Sequence, residues 1–229
     1  MILLQSVSKR YATGQDALSG VDLSMAPGDM AFVTGPSGAG KSTLLKLIAL
    51  IERPTRGQLV VNHQNLAAIG RRRVPYYRRQ LGIVFQDHRL LHDRSVFANV
   101  ALPLAIAGYR EREMTRRVRA ALDRVGLLHK EGALPITLSS GEQQRVGIAR
   151  AVVNKPPVLL ADEPTGNLDP TLSREIMGLL ERFNQLGTTV LVVSHDLELI
   201  SQLDRPILRL HQGRLVERTG ALATEPARV

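Results

Sequence analysis

The 229-residue chain has no cysteine and no tryptophan, and its aromatic content is only 3%. The missing cysteine excludes a disulfide framework and any thiolate-held metal, and it fits a reducing compartment. With 44% hydrophobic residues and so few aromatics, the core has to be aliphatic. No window approaches the roughly 18 apolar residues of a membrane-crossing helix. A membrane function would therefore come through a partner. The opening Met1-Ile-Leu-Leu-Gln lacks the basic-then-apolar order of a signal peptide. No internal repeat is evident, and the length accommodates one α/β domain with a large core.

Lysine is scarce as well: only five of the 30 basic residues are lysine, the rest arginine, a bias that coding composition alone can produce. The net charge is +9 and the pI about 10.6. The sharpest basic cluster is Arg71-Arg-Arg-Val-Pro-Tyr-Tyr-Arg-Arg79. One reading is nucleic-acid contact, but no recognised nucleic-acid module accompanies the cluster. The other is a solvated or membrane-facing surface, where anionic headgroups reward each nearby arginine by about 1 kcal/mol.

Against these absences stand two phosphate-binding patterns of different design. In Leu138-Ser-Ser-Gly-Glu-Gln-Gln-Arg145, Ser139 and Glu142 have the S-x-x-E spacing of a capping box, which starts a helix there. Gly141 beside the cap leaves the backbone bare, and the first-turn N–H groups with the helix dipole favour an anion. Earlier in the chain, Gly35-Pro36-Ser37-Gly38-Ala39-Gly40-Lys41-Ser42-Thr43 fits G-x-x-x-x-G-K-[ST]. Its flanks match: Met30–Val33 reads as a buried strand and Leu44–Ile51 as a helix. The glycines let successive N–H groups converge on phosphates. Lys41 is expected at the β/γ oxygens and the Ser42 hydroxyl on Mg²⁺. Two such sites in one short domain imply that two copies share each nucleotide.

Val158-Leu-Leu-Ala161 reads as a strand buried on both faces, with Asp162 and Glu163 at its carboxyl end, the edge where the Gly35–Thr43 loop belongs. Asp162 is expected to hold the Mg²⁺ shell and Glu163 to polarise the attacking water. Thr189–Val193 is a further buried strand and delivers Ser194-His195 to the same edge. Leu81–Phe85 delivers Gln86 there. Asn167-Leu168-Asp169 follows in a turn opened by Pro164 and Gly166.

Taken together, Tyr11, the Gly35–Thr43 loop, Gln86, LSSGEQQR, VLLADE, NLD and His195 resemble the ATP-binding cassette (ABC) ATPases, and the likeness covers nearly the whole chain. It implies an α/β P-loop NTPase fold: a RecA-like core with an antiparallel β subdomain (residues 1–88 and 158–229) and an inserted α-helical subdomain (89–157). It implies ATP and Mg²⁺ as ligands, with Ser42, Gln86 and Asp162 at the metal and Glu163, His195, Lys41 and Gln86 in catalysis. Tyr11 would stack on adenine. Ser139, Ser140, Gly141 and Glu142 of one copy would close over the nucleotide held by another, and residues 167–169 would cross the interface. His195 would hold the γ-phosphate and the attacking water. One residue departs from the family's usual LSGGEQ: Ser140 stands in place of the first glycine, a small polar change expected to be tolerated.

The helical stretch reads as Val96–Ala107, Arg110–Val125 (stopped by Gly126) and Gly141–Val153. In the second, Met114, Val118, Ala121, Leu122 and Val125 form a core-facing stripe. A hairpin is expected around Gln212-Gly213 within 207–216. The stretch from Val74 through His88 to Val96 resembles the family's bacterial cell-division members. That likeness implies an integral membrane partner, contact with other division proteins, control of peptidoglycan hydrolysis and a peripheral position on the cytoplasmic face of the inner membrane. Lipoprotein-release and macrolide-export ATPases share most of the core motifs. A nucleic-acid ABC ATPase and an ATP-gated scaffold that scarcely hydrolyses are the other readings.

Overall fold

The structure, a computed structural model, describes residues 1–220 and Leu222; the end of the expected 158–229 core segment lies outside the described residues. The chain begins with strands β1 (Ile2–Arg10), β2 (Asp16–Met25) and β3 (Met30–Thr34), then helix α1 (Lys41–Ile48). Strands β4 (Arg56–Val61) and β5 (Gln64–Asn65), helix α2 (Val74–Arg78) and strand β6 (Leu81–Val84) follow. Three helices come next: α3 (Val96–Ala107), α4 (Glu111–Arg124) and α5 (Ser140–Val152). The chain then alternates β7 (Val158–Asp162), α6 (Pro170–Gln185), β8 (Thr189–Val193), α7 (Leu197–Ser201), and closes with β9 (Ile207–His211) and β10 (Arg214–Thr219).

The most apolar strand runs lie at the centre. A six-stranded sheet has the order β10-β9-β3-β8-β7-β6, parallel except for the β9–β10 hairpin. Every residue of β3 and β8 is buried, as a sheet covered on both faces requires. The two-residue period divides its side chains between two cores. Met30, Phe32, Leu159, Ala161, Val190 and Val192 join the layer containing α3–α6, whereas Ala31, Val33, Val158, Leu160, Leu191 and Val193 join the layer containing α1. The second sheet is antiparallel, order β2-β1-β4-β5, and its Ile2, Leu4, Val21 and Leu59 pack into the α1 layer. The α/β expectation is met, including the hairpin, which extends to Thr219.

Residues 89–157 supply α3, α4 and α5, whose stripe Val118, Ala121, Leu122 and Val125 is buried in the same apolar cluster as Phe32 and Ile176. The helices therefore share the core of the sheet face they cover. Several helix ends move from their expected places: α4 runs Glu111–Arg124 rather than Arg110–Val125, and α5 ends at Val152 rather than Val153. Helix α1 starts at Lys41 rather than Leu44, because Gly40 in the left-handed conformation hands the loop directly into the helix, and it ends at Ile48, with Leu50 already at positive φ. Helix α5 starts at Ser140, one residue ahead of the expected Gly141.

Candidate active site

A cleft of about 970 Å³ lies at the carboxyl ends of the parallel strands, lined by residues 34–43 together with Tyr11, Gln86, Glu163 and His195. This is where ligands enter open α/β sheets. Two glycines of the loop admit no side chain. A Cβ on Gly35 would stand 2.1 Å from the Leu210 carbonyl oxygen, and one on Gly40 would stand 2.4 Å from that of Ala17, both at positive φ. The loop is thus pressed against the β9–β10 hairpin and against β2. The Lys41 ammonium lies along the loop's inner wall, donating to the carbonyls of Gly35 at 2.6 Å and Pro36 at 3.1 Å. No side chain caps α1, so its first-turn N–H groups are left for a ligand. Tyr11 reaches the same wall: its hydroxyl is 3.3 Å from Thr43 Oγ1, and the Lys9 ammonium lies 5.0 Å from its ring centroid.

Opposite the loop stand the two carboxylates. The Ser42 hydroxyl donates to Asp162 Oδ1 at 3.4 Å. Burial pushes the Asp162 carboxyl above its ordinary value and the Glu163 charge adds to this, while Ser42, Lys46 and Lys41 oppose it. Lys41 and Lys46 offset that burial only in part, and a hard divalent cation held by oxygen ligands of this kind would complete the compensation. Glu163 adopts a left-handed backbone, φ 48°, fixed by its N–H donating to the Val193 carbonyl at 3.0 Å. For a non-glycine residue this costs free energy, and such strain gathers at functional sites. The Glu163 Oε2 accepts from the His195 backbone N–H at 3.2 Å and lies 2.7 Å from His195 Nδ1. The Glu163 side chain is 13% exposed and that of His195 64%, so the acid is sheltered and the imidazole stands at the mouth.

The second phosphate pattern is elsewhere. Ser139–Glu142 does not line the cleft. Ser139 caps α5, its Oγ accepting from the Glu142 N–H at 3.3 Å while Glu142 Oε2 accepts from the Ser139 N–H at 3.0 Å. Lys130 bonds Glu142 Oε1 at 2.5 Å and, with the Ser139 N–H, holds that carboxyl below its ordinary value. Ser139 and Ser140 are exposed. Gly141 is not bare on its inner side, where a Cβ would meet Leu172 Cδ1 at 3.0 Å. Asp169 caps α6 by accepting from the N–H groups of Thr171 and Leu172.

Sequence reasoning missed two residues that tie these pieces together. Gln144, 1% exposed on α5, lies 2.5 Å from His88 Nδ1 through its Oε1 and donates through Nε2 to the Pro164 carbonyl at 2.6 Å. Arg150, one and a half turns further along α5, donates to the carbonyls of His88 and Arg89. His88 and Arg89 are consecutive residues at positive φ. The strained segment after Gln86 is thus clamped to α5, and α5 is clamped to the turn after Glu163.

Residues 18–166 match the ABC transporter family. The chain belongs to that family. Among curated proteins it is 58% identical over 215 residues to the cell division ATP-binding protein FtsE of Escherichia coli K12, covering 94% of this chain and 97% of that protein. It is 45% identical over 216 residues to FtsE of Bacillus subtilis, covering 94% and 95%. Among solved structures, the dimeric ABC transporter cassette MJ0796 superposes with a TM-score of 0.87 at 36% identity, covering 96% of this chain and 98% of that one. The same cassette in a dimeric post-hydrolysis state bound to ADP and Pi gives 0.87 at 35% identity, over 96% and 98%. This ABC protein is an ATPase, binding ATP and releasing ADP and phosphate. No helix among the described residues is long and apolar enough to cross a membrane.

Proposed function

We propose that the chain is the ATP-hydrolysing subunit of a bacterial cell-division complex. Two copies close on ATP and move an FtsX-like integral membrane partner that regulates septal peptidoglycan hydrolysis from the cytoplasmic face of the inner membrane. The observation that carries this is the division of the phosphate-binding parts. Lys41, Ser42, Glu163 and His195 face one cleft, while the exposed cap Ser139–Ser140 lies outside it. A second copy facing the cleft would complete it with Ser139–Glu142 and residues 167–169. The relatives named FtsE and the dimeric solved cassettes support the reading.

In this mechanism Gly35–Thr43 holds the phosphates through backbone N–H groups, and Lys41 exchanges the loop carbonyls for β/γ oxygens. Tyr11 lies along the base. Ser42 and Asp162, with Gln86, would hold Mg²⁺, which neutralises phosphate charge when bound. Glu163, aimed by the His195 N–H, accepts hydrogen bonding from the attacking water, and His195 steadies water and γ-phosphate. The protein has little covalent work to do, and positioning with charge stabilisation supplies most of the rate. Closure follows because the paired state binds ATP more tightly than the parted one; a nucleotide indifferent to the two states would move nothing. The strained loop at Asp87–Leu91, clamped by Gln144 and Arg150, relays that closure to the partner. The helices within 89–157 swing as the inserted subdomain.

The test is co-purification from membranes, with identification of the bound integral protein. An FtsX-like protein is expected, captured less by variants at Asp87–Leu91 whose nucleotide binding is intact. Capture that survives those variants moves the docking site, and a strictly monomeric ATP-loaded protein beside its partner ends the two-copy reading.

A further inference from the structure

Between Glu52 and Asp87 the chain carries seven arginines and no acid. The nucleotide site uses none of them. Arg53 works inside the fold, donating to the carbonyls of Leu66 at 3.2 Å and Ile69 at 2.6 Å, which pins the loop leading into Arg71. On the far side of the cluster, α2 is bolted to the carboxyl end of α1. The Tyr77 hydroxyl donates to the Ile48 carbonyl at 2.5 Å, and Arg78 donates to those of Ala49 at 3.3 Å and Leu50 at 2.8 Å. Arg71, Arg72 and Arg73 sit between these two anchors on a single turn, all exposed. None of the three is in an ion pair among the described residues. Cations on a braced turn, facing water with no counter-charge, form a prearranged anion-seeking surface.

What adjoins them decides which anion. Tyr76 is 63% exposed, with the Arg79 guanidinium 4.9 Å from its ring centroid. Arg79 and Pro75 share a shallow groove with Leu102 and Ile106 of α3, which are 36% and 56% exposed. Tyr76 thus adjoins this groove through Arg79, and a run of arginines and a tyrosine beside exposed aliphatic side chains matches a lipid interface. There the aromatic ring sits at headgroup depth, and aliphatic groups leave water just beneath it. A duplex offers the same phosphates but nothing for Leu102 and Ile106 to enter.

We propose that this face, Arg71–Arg73 with Tyr76, binds the anionic headgroups of a lipid bilayer directly. It would thus hold the ATPase flat against the membrane without relying on a protein partner. The inference borrows from the proposed function only the expectation that a membrane is nearby.

Sedimentation of the purified full chain with protein-free vesicles tests it. At physiological salt, binding is expected to an equal mixture of phosphatidylcholine and phosphatidylglycerol and not to phosphatidylcholine alone. Replacing Arg71→Gln, Arg72→Gln and Arg73→Gln together should lower partition on the order of 100-fold, about fivefold per arginine. Tyr76→Ala should lower it several-fold with less salt dependence. Nucleotide binding and hydrolysis in solution should be unchanged in both variants, which also shows that they are folded. Equal partition onto both vesicle types, no loss in the triple variant, or tighter binding to duplex DNA than to anionic vesicles at the same salt overturns the proposal. Because the vesicles contain no protein, these outcomes are independent of whether an FtsX-like partner co-purifies.

Discussion

The starts of α1 and α5 are both helix N-termini reached through glycine and serine, yet they solve the orphan-donor problem in opposite ways. At α1 the cap is Gly40, with no side-chain hydrogen bond and no acid in the first turn. At α5 the cap is Ser139 in a reciprocal capping box, with Glu142 in the first turn and Lys130 neutralising it. The first terminus depends on a ligand for its hydrogen bonds. The second is satisfied by the protein and is formed before any nucleotide arrives. The proposed grip of two copies on ATP would need one side that waits and one side already built.

The largest test of this contrast is chemical. Glu163→Gln keeps the side chain's shape and its hydrogen bond from the His195 N–H but removes the proposed base. Turnover measured by phosphate release should fall by a factor on the order of 10²–10⁴, with ATP affinity retained. Normal turnover would take Glu163 out of that role. Next come the glycines. Gly35→Ala drives a methyl group into the Leu210 carbonyl and should cost about 3 kcal/mol or abolish nucleotide binding. Gly141→Ala meets only the flexible end of Leu172 and gains helix propensity, so unfolding free energy should move by no more than about 0.5 kcal/mol. Equal costs at the two glycines would erase the distinction. Smaller again, Ser139→Ala removes the cap of α5 and should lower stability by about 1 kcal/mol in urea unfolding, while ATP binding by the isolated chain holds. A comparable loss of ATP affinity would mean that the two termini are not separate devices.

Much of this was legible because the chemistry lies in contiguous motifs. The Gly35–Thr43 loop, Asp162-Glu163 and the S-x-x-E cap each announce themselves within a few residues, and buried parallel strands read as unbroken aliphatic runs. The edge on which they meet follows from the topology. Contacts between distant residues were not legible. Nothing local distinguishes Tyr76 from Tyr77, yet one is exposed and the other is 1% exposed, because a carbonyl at the end of α1 accepts the Tyr77 hydroxyl. The sequence alone groups both within the one basic cluster Arg71–Arg79. Gln144 looks like an ordinary polar helix residue until His88 and Pro164 are brought to either side of it. The left-handed backbone at His88 and Arg89 has no glycine to signal it. Periodicity finds which face is buried, but not which polar group waits there.

The smallest expected effect isolates the charge on the α5 cap. Lys130 chiefly, and then the Ser139 N–H, hold the Glu142 carboxyl below its ordinary value. A carboxyl whose folded value is depressed contributes stability that is full above its unfolded value and is lost as pH falls through the folded one. Glutamine at this position can still complete the capping box but carries no charge. The wild-type protein should therefore exceed Glu142→Gln in stability by a constant few tenths of a kcal/mol near neutral pH, the size expected of a pair still partly open to solvent. That difference should close as the pH drops below about 4, the ordinary glutamate range. Urea midpoints for both proteins at pH 7 and at pH 3.5 measure it. A difference that persists in acid would assign the stabilisation to side-chain packing rather than to the Lys130 pair. Helix α1 has no acid in its own first turn; the carboxyl that meets it there is Asp162, through Ser42, and burial holds that group above its ordinary value rather than below it.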